Sequence, residues 1–133
     1  MLRLLRLKCR VHCYATEDLE KVKKSVENIL NNVRFKVRDV RLEGHYGDVI
    51  HALEYEVSNE AEVVAVFEKI LRHVGAAALG VEQKSSDGGS FHLRLDKQKA
   101  LMGEIAAEDV DPIKLEFTYV GDWREVYRWA GNT

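Results

Sequence analysis

A strict alternation of apolar and polar side chains near the start of the chain constrains its fold most. Apolar side chains occupy every second position from Leu5 to Cys13, and the positions between them are basic or polar. Such an alternation predicts a β-strand with one buried and one solvent-facing side, because successive side chains of a strand point to opposite faces of the sheet. The chain must therefore build a sheet whose second face is open to water or covered by a partner.

The same two-residue period recurs later and predicts further strands over residues 34–42, 49–57, 81–84, 91–95 and 113–119. Apolar residues at helical spacing predict one helix that begins after an N-cap at Thr16 and ends at Asn31–Asn32, and a second over 63–74 that stops at Gly75. Shorter helices are expected over 97–102 and 123–130. The apolar parity changes within the second strand, which predicts a bulge near Arg38–Asp39. Turns are predicted at 44–47 and 86–89, where glycines tolerate positive φ.

Many strands and few helices predict the α+β class, as a two-layer domain in which a mostly antiparallel mixed sheet carries two main helices on one face. The 133 residues fit a single domain, 1–133. No apolar run is long enough to cross a bilayer, and no secretory signal is recognisable, so we expect a cytoplasmic protein with no membrane partner. Cys9 and Cys13 would lie ~13 Å apart on one strand, too far for a disulfide, and are expected to be buried free thiols.

The net charge of −2 hides a strong polarity along the chain. Residues 1–41 hold eleven Lys or Arg against five Asp or Glu, whereas residues 42–133 hold nine against seventeen. This balance is not typical of a general polyanion binder. It predicts one basic surface on an otherwise acidic body.

The motifs of common catalytic and metal sites are missing from the sequence. The histidines have no zinc-motif spacing, the cysteines form no C-x-x-C pair, and no G-x-S-x-G segment is present. The loop 44–47 does not run from a strand into a helix, so it is neither a P-loop nor a dinucleotide fingerprint. We therefore expect a protein that is not an enzyme, with no catalytic residue, no metal and no cofactor.

Basic residues alternate along the polar sides of the first two strands. If those strands are neighbours, the cations share one face that could bind RNA phosphates, with released counterions driving the binding. The alternative is that Glu54, Glu56 and Glu116 on other strands neutralise them as cross-strand ion pairs. Exposed aromatic residues are scarce, which favours recognition of the backbone over reading of bases. The candidate RNA-binding residues of these strands are Arg6, Lys8, Arg10, His12, Arg34, Lys36 and Arg38.

Three segments together resemble an archaeal family of RNA-binding proteins, also described as predicted exosome-subunit-like proteins. The segments are Ala15–Asp18, Gly44–Gly47 and Leu93–Gln98, in this order and spacing. The resemblance covers the chain from Leu7 to about Tyr119. It implies a fold similar to that of the fifth protein of the large ribosomal subunit. It also implies a non-catalytic role with RNA, alongside RNA processing or degradation machinery.

The resulting hypothesis is a non-catalytic RNA-binding accessory protein that contacts backbone phosphates through a basic sheet face, with exosome or RNA-processing proteins as further partners. The motif segments extend the candidate interface to His45, Tyr46, Arg94 and Lys97, where Tyr46 could stack on a base. One alternative is a protein-interaction or homo-oligomerisation module, such as a homodimer, whose open sheet face is the subunit interface. Another is a small-ligand- or nucleotide-binding enzyme subunit.

Overall fold

The computed structural model describes residues 1–131 and shows one six-stranded sheet with helices packed on it. The strands are β1 (Arg3–Cys13), β2 (Lys36–Glu43), β3 (Val49–Val57), β4 (Gly80–Ser85), β5 (Gly88–Leu95) and β6 (Ile113–Val120). The helices are α1 (Leu19–Leu30), α2 (Glu60–Val74), α3 (Lys97–Leu101) and α4 (Val126–Gly131), with 3-10 turns at Ala76–Ala78 and Trp123–Glu125. The predicted α+β class and element order are confirmed.

The strands lie in the order β2-β3-β1-β6-β5-β4, and every pairing is antiparallel. This confirms the mostly antiparallel sheet. The first strand of the chain lies near the centre of the sheet, between β3 and β6. The second strand lies at the edge, so β3 separates the two basic strands from each other.

One face of the sheet is buried under α1 and α2. Leu7 of β1 lies opposite Phe117 of β6, which lies opposite Phe91 of β5, and all three are completely buried. Phe67 of α2 packs on this row, with its ring centroid 4.8 Å from that of Phe117. Because side chains alternate along a strand, the positions between these residues point to the opposite face.

Helix α1 begins two residues later than the sequence predicts. Its N-cap is Asp18, whose Oδ1 accepts hydrogen bonds from the backbone N–H groups of Glu20 and Lys21. The predicted cap at Thr16 is wrong, because residues 14–17 first form a turn closed by a bond from the Glu17 N–H to the Tyr14 carbonyl. The other predicted ends are confirmed: Asn31 adopts a left-handed conformation after α1, and Gly75 ends α2 at φ +80°.

The predicted bulge near Arg38–Asp39 is also wrong. β2 pairs with β3 without interruption from Lys36 to Glu43, and all eight residues of β2 are exposed. The apolar residues switch from odd positions (Val37) to even positions (Val40 and Leu42) without a bulge. This switch is tolerated because neither side of this exposed edge strand packs in the core. The register irregularities lie instead in β1, between Leu4 and Arg6, and in β4.

The hairpin between β4 and β5 lies where the sequence predicts it, but its glycines are not required for a positive φ. Neither Gly88 nor Gly89 has a positive φ. At Gly89 a Cβ atom would lie only 2.0 Å from the Glu82 carbonyl oxygen, so this glycine allows a close approach of the two strands.

Cys9 and Cys13 are both buried and unpaired, as predicted. Burial raises the pKa of the Cys9 thiol to about 12. Within residues 1–131, no helix is both long and apolar enough to span a bilayer.

Candidate nucleic-acid interface

The sheet surface opposite the helices, called the open face below, carries the polar side chains of the strands. Cross-strand register arranges them in two rows. The basic row consists of Arg38, Glu54, Arg10, Lys114 and Arg94 on successive strands from β2 to β5. The mixed row beside it consists of Lys36, Glu56, Lys8, Glu116 and His92.

Glutamates of β3 stand between the two strands that were expected to form a joint basic face. Arg10 Nε donates to Glu54 at 3.0 Å, and Arg38 Nη2 lies 3.7 Å from the same carboxylate. Arg6 Nη1 lies 3.5 Å from Glu56. The hydrogen bond from Arg10 lowers the pKa of Glu54, and burial opposes this only in part. The first two strands are therefore not neighbours, and part of their charge is neutralised across β3.

The neutralisation is incomplete, because the open face has more cations than carboxylates. Arg10 also reaches Glu116, at 3.9 Å, so the glutamates are engaged chiefly by arginines. The ammonium groups of Lys8, Lys36 and Lys114 form no ion pair within residues 1–131. The cations of this face are Arg6, Lys8, Arg10, Lys36, Arg38, Arg94 and Lys114, and its carboxylates are Glu54, Glu56, Glu82 and Glu116.

The densest positive charge lies where no acidic strand intervenes. Arg10, Lys114 and Arg94 are direct neighbours on β1, β6 and β5. With strands ~4.8 Å apart, the three Cα atoms span about 10 Å. Lys114 was missed as a candidate. The alternation of the last strand places it on the polar side, but the pairing of β6 with β1 could not be read from the sequence.

Lys97 is a structural cation. Its side chain is only 10% exposed, and its Nζ lies 2.6 Å from Asp111 Oδ2, 3.0 Å from Glu17 Oε1 and 2.9 Å from the His12 carbonyl oxygen. A lysine has three N–H donors, so all of them are used. Burial alone would lower the pKa of Lys97, but the hydrogen bonds to Asp111 and Glu17 outweigh it and raise the pKa. No donor is left for a phosphate.

Arg34 and Arg94 have different surroundings although both are exposed. Arg34 precedes β2, and its backbone N–H and its Nε both donate to Glu62 of α2, at 2.8 and 3.2 Å. It is thereby held toward the helix layer. Arg94 lies on the open face and is 3.9 Å from Asp109, whose own side chain is 91% exposed. Such an exposed and distant pair is weak, so Arg94 has the weaker ion pair of the two.

The hairpin turn between β2 and β3 lies at the same end of the sheet as the last residues of β1. Gly47 has φ +83°, and its N–H bonds to the Gly44 carbonyl. Tyr46 at the tip is 87% exposed, and its ring meets that of His45 edge-on at 4.9 Å. The antiparallel order places His12 at this end as well, since β1 ends beside the start of β3.

No Phe, Tyr or Trp side chain of the described strands points to the open face, whose only aromatic rings on those strands are the imidazoles of His12 and His92. The aromatic residues of the strands, Tyr55, Phe91, Phe117 and Tyr119, all lie on the buried face. The exposed Tyr46 is confined to the hairpin tip. The open face is therefore suited to contacting phosphates rather than bases.

Ser90, His92 and Glu82 meet on the open face near β4. Ser90 Oγ lies 2.9 Å and Glu82 Oε2 3.2 Å from the same atom, His92 Nε2. A nucleophilic triad needs the serine and the carboxylate on different ring nitrogens, so that the histidine is oriented by one and accepts a proton from the other. This cluster lacks that geometry. Elsewhere in residues 1–131, no three His, Cys, Asp or Glu side chains are grouped to hold a metal ion.

The fold and the open face define the class of protein: a small antiparallel α+β domain that presents a partly neutralised basic sheet surface. The chain belongs to the family described as RNA binding, whose model matches residues 6–119.

Three archaeal proteins illustrate what the chain is similar to. The RNA-binding protein PAB1135 of Pyrococcus abyssi is 28% identical over 124 residues, which cover 83% of this chain and 79% of that protein. The uncharacterised protein MJ0213 of Methanocaldococcus jannaschii is 29% identical over 123 residues, covering 85% and 80%. The solved structure of Mth689, a DUF54 protein from Methanothermobacter thermautotrophicus, superposes with a TM-score of 0.71 at 25% identity over 98% of this chain and 94% of that one.

Proposed function

We propose that this protein is a non-catalytic RNA-binding protein that holds RNA by its backbone phosphates on the open face. The observation that carries the proposal is the excess of cations over carboxylates on that face, densest at Arg10, Lys114 and Arg94. The family description and the name of the Pyrococcus relative point to the same ligand.

The contacts we propose differ from the set expected from sequence. Lys8, Lys36 and Lys114 supply ammonium groups without an ion pair of their own, and Arg94 and Arg10 supply guanidinium groups beside them. Arg6, Arg38 and His12 border this surface. Phosphates would release their counterions on binding, which makes the affinity strongly dependent on salt. Lys97 is left out because all of its donors are already used, and Arg34 is left out because its pairing with Glu62 of α2 holds it on the helix side of the sheet edge.

The hairpin tip provides a second contact in this proposal. Tyr46 is exposed enough to stack on an unpaired base, and the ring of His45 beside it can donate a hydrogen bond. The tip and His12 lie at one end of the sheet, so an RNA strand could run from the basic row toward the turn.

The decisive experiment replaces Lys8, Arg94 and Lys114 together by glutamine and measures binding to single-stranded RNA by fluorescence anisotropy over a series of salt concentrations. Each lost phosphate contact should reduce the slope of log affinity against log salt by ~0.7, so the triple variant should lose about 2. Its affinity should fall for all RNA sequences alike.

A matched control removes the same charge elsewhere. Lys21, Lys23 and Lys24 lie on α1, in the helix layer, so their replacement by glutamine should leave the salt slope unchanged. Equal losses of affinity and salt slope in both triple variants would mean that RNA binding depends only on the net charge of the protein. An unchanged slope in the open-face variant would refute the proposal.

The alternative role, an interaction module with the open face as a subunit interface, is less well supported. Two copies packed face to face would bring two surfaces with excess positive charge together, which is unfavourable without an anion between them. A homodimer formed in this way should be stabilised by added polyphosphate.

The narrower parts of the proposal rest on the resemblance between the motif segments and the archaeal family. They are a cytoplasmic accessory role in RNA processing or degradation, and association with exosome proteins. The likeness to the fifth protein of the large ribosomal subunit likewise stays a prediction. Co-purification of the tagged protein with and without ribonuclease treatment would separate direct protein partners from those held by RNA.

A further inference from the structure

The two edges of the sheet differ in how they are protected against pairing with another strand. β4 has six residues and a register irregularity between Gln83 and Ser85, a feature that commonly disrupts edge pairing. β2 has eight residues in unbroken register, and all of them are exposed. Its apolar side chains Val37, Val40 and Leu42 are 51%, 40% and 45% exposed.

The hairpin turn shows which backbone groups of β2 point away from the sheet. The Gly44 N–H donates to the Asp48 carbonyl, so even-numbered residues of β2 direct their backbone groups toward β3. The odd-numbered residues therefore direct theirs outward. An added strand would pair with Val37, Asp39, Arg41 and Glu43.

The sequence of β2 is complementary to itself in one antiparallel register. When two copies pair about a two-fold axis at Val40, each Asp39 lies opposite Arg41 of the other copy. Val40 then lies opposite its own equivalent at a non-hydrogen-bonded position, where side chains are closest.

The neighbouring symmetric registers place like charges opposite each other. An axis at Asp39 pairs two aspartates, and an axis at Arg38 pairs two arginines. An axis at Arg41 pairs two arginines and also sets Asp39 against Glu43. Like charges directly opposite are destabilising. An axis at Leu42 also sets Arg41 opposite Glu43, but it pairs only residues 41–43 of β2, whereas the axis at Val40 pairs residues 37–43. Charge complementarity and length of overlap together favour the register at Val40.

We propose that β2 pairs with β2 of a second copy of this chain in the register centred on Val40, which joins the two sheets into one continuous antiparallel sheet. The partner is another copy rather than an unrelated strand because the charge pattern fits itself. The axis is perpendicular to the sheet, so both open faces lie on the same side. This interface is formed by the strand edge and does not depend on RNA binding.

Charge exchange tests the pairing directly, using the full chain without RNA and sedimentation velocity over a wide range of concentrations. Arg41→Asp sets aspartate against aspartate twice and should weaken the dimer at least ~10-fold, since two symmetry-related contacts change from attraction to repulsion. Asp39→Arg should act similarly. The double variant Asp39→Arg/Arg41→Asp restores opposite charges and should restore the dimer.

Lys84→Asp on the opposite edge is the control and should leave association unchanged. Arg41→Asp is the cleaner single variant, because Asp39 also bonds His51 Nδ1 within its own chain, at 2.9 Å. Hydrogen exchange of the Asp39 and Arg41 amides should slow as concentration rises. A wild-type protein that remains monomeric at millimolar concentration, or a dimer that both single exchanges leave intact, would overturn the proposal. RNA binding measured separately distinguishes this failure from failure of the proposed function.

Discussion

Replacement of Lys97 by methionine should destabilise the protein without weakening RNA binding. The lysine joins the start of α3 to three distant segments: the end of β1, the turn before α1 and the loop before β6. Methionine keeps much of the aliphatic stem but removes the charge and all three donors. Glu17 and Asp111 are then left facing each other without their shared cation.

The magnitude follows from how far each group is removed from water. Removal of one partner from a fully buried ion pair costs ~3–5 kcal/mol. Lys97 is 10% exposed, but the side chains of Glu17 and Asp111 are 29% and 35% exposed and can be rehydrated. We therefore expect a loss of about 2–3 kcal/mol in the free energy of unfolding, below the fully buried case.

Urea denaturation followed by circular dichroism measures this loss as a shift of the midpoint at constant m-value. Asp111→Asn in the wild-type and Lys97→Met backgrounds completes a double-mutant cycle, and the two effects should be strongly non-additive because the side chains are in contact. A loss below ~0.5 kcal/mol, the range of ordinary surface substitutions, would refute the structural role. Reduced RNA affinity in a folded Lys97→Met variant would mean that Lys97 contacts RNA.

The pH dependence of this effect has a defined sign. The pKa of Lys97 is raised in the folded state, so its stabilisation is fully present below the pKa of the unfolded lysine, ~10.4. It is lost as the pH rises through the higher folded value. The difference in stability between wild type and Lys97→Met should therefore be constant from neutral pH up to the pKa of the unfolded lysine, and should shrink as the pH rises from there through the folded value.

Two further predictions concern stability. Glu54→Gln loses the charge-assisted bond from Arg10 and should cost ~0.5–1 kcal/mol at neutral pH. Because the pKa of Glu54 is lowered on folding, this difference should be fully present above the ordinary value of 4.5 and be lost as the pH falls through the lower folded value, in acid titrations of urea midpoints. Asp18→Ala should cost ~1 kcal/mol as the loss of an N-cap, whereas Thr16→Ala should change stability by less than ~0.5 kcal/mol. Equal effects of the last two substitutions in thermal melts would contradict the cap assignment.

Local sequence patterns predicted the helices and strands well, because these elements depend on residues that are close to one another in the sequence. The alternation marks the two faces of β1, and the structure buries the expected side from Leu7 to Cys13. At its start Leu4 is buried instead of Leu5, because the register shifts between Leu4 and Arg6. Asn31 and Gly75 end their helices because their backbone conformations are set by adjacent residues. The N-cap was missed because an acceptor at Thr16 and one at Asp18 look alike until the turn before the helix is known.

The candidate interface was predicted in composition but not in arrangement. Arg10 and Arg38 were correctly taken as polar-side residues of their strands, yet the carboxylate of Glu54 lies between them. Lys114 joined the basic row only through the pairing of β6 with β1. Lys97 looked like a free cation in its motif, because nothing nearby in sequence reveals partners that are 80 and 85 positions away.

The amino-acid sequence by itself determined which side chains share a face of each strand, where the helices lie and that the early part of the chain is basic. These properties follow from side-chain periodicity and local charge, which act over a few residues. Only the tertiary structure decided the order of the strands, and with it which charges neutralise one another and which remain for a ligand. Strand order is set by contacts between residues far apart in the chain, and every face pattern is compatible with several such orders.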